Sequence, residues 1–369
     1  MRGASPQYYD LPMIERHVAA PARARALELG YYDPSAALWL ARRVRQVLAL
    51  RPAVDLAAEL DRQARAAGLA NLEVRVTTQP QPSERGTFDL ALLLAPFFLG
   101  NAPVRHAICT AAQALKSDGV LYFQVHRRRG GDTFVGYACE LFASVEPVAR
   151  GAGQRRLFAA TGPRAPAAEP VIPQADRLYD LTLRGVTVRF RLAAGVFSAR
   201  GIDPGSRLLL DTAQVPPGAK VLDLGCGAGV IGLAIAALDP RARVVLVDSS
   251  APAVELAREN AARNRLVNVD VRLGDAYQPV AGERFDAILS NLPAHRGYQE
   301  QLATAERFIS GAPDHLRAGG GAWFVANRAL PYERPAARVF GQVRLAASDR
   351  RYKVLHCTEP RSGPARGRT

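Results

Sequence analysis

Ten residues constrain this chain more than any other stretch: Val221, Leu222, Asp223, Leu224, Gly225, Cys226, Gly227, Ala228, Gly229 and Val230. A short apolar strand runs into a glycine-rich turn. The turn opens a helix carrying Ile231, Leu233, Ala234, Ile235 and Ala237. Glycine at 225, 227 and 229 removes the β-carbons that would keep a ligand off the backbone. The first N–H groups of a helix have no partner within it and suit an anionic group. The pattern predicts a nucleotide-type site at the carboxyl end of a parallel strand.

Which nucleotide binds there is open at this point. Gly227, Gly229 and Gly232 satisfy G-x-G-x-x-G, a weak dinucleotide signal by itself. Asp248 ends the next strand, with Ser249 beside it, and a carboxylate there takes ribose hydroxyls in either case. Two features favour S-adenosylmethionine (SAM). Asp223 sits just before the glycines, where it faces a cationic amino group. Asp275 and Ala276 follow a third strand and offer a carboxylate to an adenine amine. The bland alternative is a loop that merely packs helix on strand, and two acidic strand ends in step behind it weigh against that. Cys226 reads as a small filler in the loop and not as a nucleophile.

At 369 residues the chain is long enough for two domains, each with its own core. A hydrophobic content of 48% argues against disorder. Residues 1–17 lack a basic start followed by an apolar run, so no signal peptide is expected. The longest apolar stretch, 90–99, is broken at Pro96 and too short to span a bilayer. Cys109, Cys139, Cys226 and Cys357 are scattered without a C-x-x-C pair, which argues against a metal site or a disulfide framework. A cytoplasmic monomer without metal or membrane attachment is expected. The net charge of +14 draws the chain toward phosphate backbones. A GC-rich coding bias explains why there are only three lysines, but not why basic residues outnumber acidic ones.

The chain up to about residue 161 alternates helix and strand. Helices are expected over 34–50, 52–67 and 104–115, and strands over 72–76, 88–95 and 120–125. Comparing the chain with itself shows a repeat. Phe88 and Asp89 open a strand as Phe285 and Asp286 do. Gly119 to Phe123 resembles Gly321 to Val325, and Phe142 to Val145 resembles Phe340 to Val343. The order and spacing agree, which predicts a duplicated α/β domain. The first copy lacks the glycine loop and should bind no SAM. Its Arg127, Arg128 and Arg129 are available to RNA phosphates, although three arginines on a loop are more often a solvated edge. A linker rich in Pro and Ala leads to a hairpin around Arg184 and Gly185.

After the strand opened by Phe285 comes Asn291, Leu292, Pro293, Ala294 and His295. The exocyclic amine of a base is a poor nucleophile, because its lone pair is delocalised into the ring. Acceptors that hold both of its hydrogens pull it toward tetrahedral geometry and stabilise developing positive charge. The Asn291 side-chain oxygen and the Leu292 carbonyl can do this, with Pro293 stiffening the turn.

These residues carry a resemblance. Together with Gly195 to Phe197, Asp203, Gly205, Ser206, Asp223 to Gly229, Asn327, Pro331, Tyr332 and Tyr352 to Val354, they resemble the methyltransferase small domain of class I SAM-dependent methyltransferases. More closely, they resemble the bacterial ribosomal RNA guanine-N2 methyltransferases. The resemblance implies an α/β fold of two tandem Rossmann-like class I methyltransferase domains, the N-terminal one degenerate and the C-terminal one SAM-binding. The expected division is 1–162, a linker at 163–175, a catalytic domain at 176–360 and a basic tail at 361–369. It implies catalysis by Asn291, Leu292 and Pro293. The cofactor is expected on Asp223, Gly225, Cys226, Gly227, Gly229, Asp248, Ser249, Asp275, Ala276 and Asn291. The implied partner is ribosomal RNA or an assembling ribosomal subunit. In place of the family's Asn-Pro-Pro-Phe or Asn-Pro-Pro-Tyr this chain has Asn291, Leu292, Pro293 and Ala294, so it lacks the ring that would stack on the target base. Such stacking contributes roughly 1–3 kcal/mol per base. Phe197 and Tyr298 are the aromatic residues available instead, and His295 is expected to line the pocket. Three alternatives remain at this level: a glutamine side chain as acceptor, an amine on DNA, and a SAM- and RNA-binding protein without turnover.

Overall fold

Strands buried on both faces read as unbroken apolar runs, and such runs make up the centre of both sheets in this chain. The computed structural model describes residues 9–31, 33–94, 100–164, 178–193, 195–197, 201–293 and 298–361. Two compact units result: Met1–Gln174 with Ala193–Gly195, and Ala175–Leu192 with Val196–Thr369.

The first unit holds β1 (Arg25–Leu29), β2 (Gln46–Arg51), β3 (Leu72–Val76), β4 (Phe88–Leu94), β5 (Leu115–His126), β6 (Phe142–Arg150) and β7 (Arg155–Pro163). They form one sheet in the order β3-β2-β1-β4-β5-β7-β6. In it β1 to β5 run parallel, and β7 is antiparallel to both neighbours. The second unit opens with the hairpin β8 (Leu178–Leu183) and β9 (Val186–Arg191). Its turn residues Arg184 and Gly185 have φ of 48° and 83°, as a two-residue turn with both centres left-handed requires. Its sheet holds β10 (Lys220–Leu224), β11 (Arg243–Asp248), β12 (Val269–Leu273), β13 (Phe285–Asn291), β14 (Leu316–Asn327), β15 (Phe340–Ser348) and β16 (Tyr352–Pro360). The order β12-β11-β10-β13-β14-β16-β15 repeats that of the first sheet strand for strand.

The register makes the duplication exact enough to pair residues. Ala26 lies opposite Leu90 and Val221 opposite Ala287, so Arg25 corresponds to Lys220 and Asp89 to Asp286. The contacts agree. Asp89 accepts from the Arg25 amide and Asp286 from the Lys220 amide, both at 2.7 Å. Arg25 and Lys220 lie over the rings of Phe88 and Phe285. Glu84 pairs with Arg25 and Arg75 as Glu283 pairs with Lys220 and Arg272. The two units therefore share one design at the amino ends of their strands.

One expectation fails in the first unit, and one strand has no counterpart among the expected elements. Residues 34–50 are not one helix: the helix Ser35–Ala41 ends there, and 46–51 form β2. Val47, Leu48, Ala49 and Leu50 are all buried, and a short apolar run without alternation fits a buried strand as well as a helix. The strand β1 was not anticipated, because Arg25, Ala26 and Glu28 are poor strand formers.

Candidate active site

The loop after β10 turns through three left-handed glycines, with φ of 73° at Gly225, 55° at Gly227 and 85° at Gly229. The reasons differ. A β-carbon on Gly229 would sit 2.9 Å from Leu233 Cδ1, and one on Gly225 3.1 Å from Phe308 Cε2. Those two are demanded by packing as well as by backbone shape. A β-carbon on Gly227 would meet nothing nearer than Phe197 Cβ at 3.9 Å. Among the described residues nothing crowds Gly227, so its bare backbone is what a ligand could approach. The buried Asn260 amide ties this loop to its surroundings, donating to Ala228 O at 3.0 Å and exchanging hydrogen bonds with the Arg191 backbone.

Two carboxylates stand behind the loop. Asp248 accepts from Gly227 N and from Ser250 N, both at 2.8 Å, so it fixes the loop at the end of β11 beside Ser249. Asp223 is fully buried and accepts from Gly232 N at 2.7 Å through Oδ2. Its Oδ1 has no hydrogen-bond partner among the described residues. Burial pushes this carboxyl up to about 7; the Gly232 hydrogen bond opposes the rise and the nearby Asp248 charge adds to it. A buried carboxylate oxygen left without a donor carries a desolvation cost, and the raised pKa reflects it.

Asp275 follows β12 and is paired with an arginine. Both of its oxygens accept from Arg307, at 2.7 and 2.9 Å, in a fork on the helix Tyr298–Gly311. Ala276 beside it has φ of 50°. Cys226 is buried, its thiol 3.7 Å from Gly227 O and pushed well up by burial, as suits a filler.

Asn291 is the last residue of β13. Its Nδ2 donates to Asp203 Oδ2 at 2.8 Å and to Ser206 Oγ at 3.0 Å. Ser290 beneath it donates to Leu224 O at 2.6 Å, which ties the end of β13 to the end of β10. Among the described residues no group of three His, Cys, Asp or Glu side chains is placed to hold a metal ion. No helix there is long and apolar enough to cross a membrane.

Residues 187–356 match the family described as "Methyltransferase small domain". The match covers most of the second unit and less than half of the chain. The Ribosomal RNA small subunit methyltransferase C of Klebsiella pneumoniae subsp. pneumoniae is 43% identical over 181 residues, which is 49% of this chain and 52% of that protein. The protein of the same name from Salmonella choleraesuis is 43% identical over 175 residues, 47% of this chain and 50% of that protein. The chain thus spans about half the length of the curated relatives it matches. A solved T. thermophilus 16S rRNA N2 G1207 methyltransferase, in complex with AdoMet and guanosine, is 27% identical with a TM-score of 0.78. That likeness covers 97% of this chain and 93% of the other. It supports the tandem Rossmann-like architecture for the whole chain.

Leu292 stands where the family that the chain resembles has its first proline. Its N–H donates to Val325 O at 2.9 Å, and its side chain is 2% exposed in the core that holds Phe324 and Phe308. A proline has no N–H to make the first contact. The bond to Val325 O holds residue 292 against β14. Pro293 follows, half-buried. Phe197 lies near Gly227 and is 42% exposed. Ala294 and His295 lie outside the described residues, as does the side chain of Tyr298. Asp203, Ser206 and Tyr352 lie in the stretches that carry the resemblance, without a task legible from sequence. Nothing local in the sequence marks Asn260 or Arg307.

The described residues of the first unit hold different groups at the carboxylate and amide positions. The same register puts Glu28 where Asp223 stands, Gly30 at Gly225, Arg51 at Asp248 and Leu94 at Asn291.

Proposed function

We propose that this chain is a SAM-dependent methyltransferase that transfers a methyl group to the exocyclic N2 amine of a guanine in small-subunit ribosomal RNA. The observation that carries the proposal is the Asn291 amide. Its nitrogen is engaged by Asp203 and Ser206, so its oxygen is turned away from them to serve as an acceptor at the end of β13, next to the glycine loop. The likeness to rRNA methyltransferases, one of them solved with AdoMet and guanosine, supports the same assignment.

In this proposal Gly225, Cys226, Gly227 and Gly229 cradle SAM, Asp248 and Ser249 take its ribose, and Asp223 Oδ1 takes its amino group. Asp275 and Ala276 border the adenine, with Arg307 sharing the carboxylate. SAM supplies an electrophilic methyl group on a sulfonium. The chain's own task is to hold the acceptor amine in line with it. Asn291 Oδ1 and the Leu292 carbonyl accept the two amine hydrogens. This localises the nitrogen lone pair and stabilises the positive charge that grows as the new bond forms. Pro293 holds the turn, and Phe197, Ala294, His295 and Tyr298 border the base.

The first unit is proposed to dock RNA. Arg127, Arg128 and Arg129 are exposed after β5; Arg155 pairs across from His126, and Arg156 from both Val125 and Arg150. Arg156 has Asp132 at 3.6 Å. Burial, followed by the charges of Arg129 and Arg155, lowers the His126 pKa, a sign of positive potential at this corner. Cytoplasmic location, a monomeric state and action on an assembling subunit complete the proposal.

Mass spectrometry of small-subunit rRNA from a strain lacking the gene tests it. One missing N2-methylguanosine, restored by the intact gene, is the expected result. A full set of methylguanosines together with a missing methylglutamine would move the acceptor to protein.

A further inference from the structure

The residues that hold Asn291 form a lock with only one setting. Asp203 stands at the start of the helix Pro204–Thr212, where its Oδ2 accepts from Ser206 N at 2.8 Å. The same oxygen accepts from Asn291 Nδ2 at 2.8 Å, and Oδ1 accepts from the Tyr352 hydroxyl at 3.2 Å. Gly205 permits this close assembly: a β-carbon there would lie 2.8 Å from Tyr352 Cδ1 and 2.9 Å from Asp203 Oδ2. Burial raises the Tyr352 pKa and the Asp203 charge adds to the rise, which keeps the phenol a donor.

An amide side chain has two orientations related by a half turn, one presenting oxygen and the other NH2. Only the first can accept from a base amine; the second would set donor against donor. An ionised carboxylate accepts and never donates. It can face the Asn291 nitrogen but not its oxygen. We propose that Asp203, held by Ser206 N and Tyr352, is a positioning residue that fixes the rotamer of Asn291 and so keeps its oxygen toward the acceptor amine. A negative charge behind the amide nitrogen also draws electron density onto the amide oxygen, which strengthens it as the amine becomes positive. The proposal rests on the N-methyltransferase function proposed above.

The test uses the full-length chain, SAM, and small ribosomal subunits from a strain lacking the gene. Asp203→Ala removes the acceptor that faces Asn291 Nδ2, so both settings of Asn291 become available, and it removes the Ser206 cap with it. Its kcat should fall by roughly 10- to 100-fold, the scale of a misoriented catalytic group. KM for SAM should stay near wild type, while the thermal midpoint falls with the lost cap. In an Asn291→Ala background the same substitution should lower kcat no further, because there is no amide left to orient. An unchanged kcat in Asp203→Ala overturns the proposal. So does an equal loss in both backgrounds, which would mark a purely structural role. Absence of transfer by the wild-type chain would overturn the function reading, and this inference with it.

Discussion

In the first unit the Arg51 guanidinium donates to the Glu28 carboxylate, at the two positions that Asp248 and Asp223 hold in the second. The pair is 1% and 0% exposed. Arg51 also donates to Leu50 O at 2.9 Å, and a β-carbon on Gly30 would collide with both partners. Two carboxylates behind a glycine loop suit a ligand that brings hydroxyls and a cation. An acid and a base at the same places pair with each other instead, with Glu28 Oε1 and Arg51 Nη2 left without a hydrogen-bond partner among the described residues. Burial outweighs the Arg51 charge and raises the Glu28 pKa.

This relationship predicts an asymmetry in stability. Arg51→Ala leaves Glu28 buried without a counter-ion and should destabilise the first unit by about 3–5 kcal/mol. The double variant Glu28→Leu with Arg51→Met removes both charges and should lie within about 1–2 kcal/mol of wild type, since buried pairs roughly balance their desolvation. Urea unfolding followed by far-UV circular dichroism measures both.

Asp223 predicts a pH dependence for SAM binding. Its carboxyl is raised from 3.8 to about 7 in the folded chain. The folded state therefore holds this proton more tightly than the unfolded one. The stabilising contribution is complete below 3.8 and is lost as pH rises through 7. A cationic ligand needs the ionised form, so SAM affinity should climb with pH, by about tenfold per unit below 7, and level off above it. Calorimetry in buffers of different ionisation enthalpy should show a proton released on binding at pH 6. Asp223→Asn should bind SAM weakly and without this slope.

Much of the second unit was legible in its sequence, and the reason is local. Gly225, Gly227 and Gly229 each answer to a left-handed backbone within one turn, and Asp248 is marked by ending a run of valines and leucine. What was not legible depends on contacts between distant residues. Asn291 meets Asp203 across 88 positions, Asp275 meets Arg307 across 32, and Arg51 meets Glu28 across 23. Residues 46–51 misled for a different reason: a fully buried parallel strand has no alternation to tell it from a helix.

Leu292→Pro would restore the family's tetrad in part, and the structure predicts a loss. It removes the N–H that reaches Val325 O and empties a buried leucine site. Leaving one backbone acceptor unpaired costs about 1–3 kcal/mol, and the poorer packing adds to it. Differential scanning calorimetry should show a lower midpoint for the transition of the second unit, with that of the first unchanged.

The basic corner of the first unit predicts a salt-dependent defect. Replacing Arg127, Arg128 and Arg129 together by glutamine should weaken binding to small-subunit RNA by a similar factor for any sequence. It should flatten the dependence of log affinity on log salt by about two to three units, since each phosphate no longer neutralised removes roughly one. Filter binding across a salt series measures this. SAM affinity should not change, because these residues lie outside the second unit. An unaltered salt slope would assign RNA docking elsewhere.

Asn291→Ala separates holding the cofactor from using it. The proposed SAM contacts lie chiefly on the glycine loop, Asp223 and Asp248, which are tied together by the Gly227, Gly232 and Ser250 amides and do not pass through the Asn291 side chain. SAM affinity by calorimetry should stay within a few-fold of wild type. Methyl transfer to small subunits should fall by roughly 10²–10³, the usual effect of removing one oriented charge-stabilising contact. Asn291→Asp should fall at least as far, because a carboxylate at 291 would face the Asp203 carboxylate where the amide nitrogen now donates at 2.8 Å. If Asn291→Ala kept full transfer, the amine would be held by some other acceptor, and the assignment of chemistry to the end of β13 would fail.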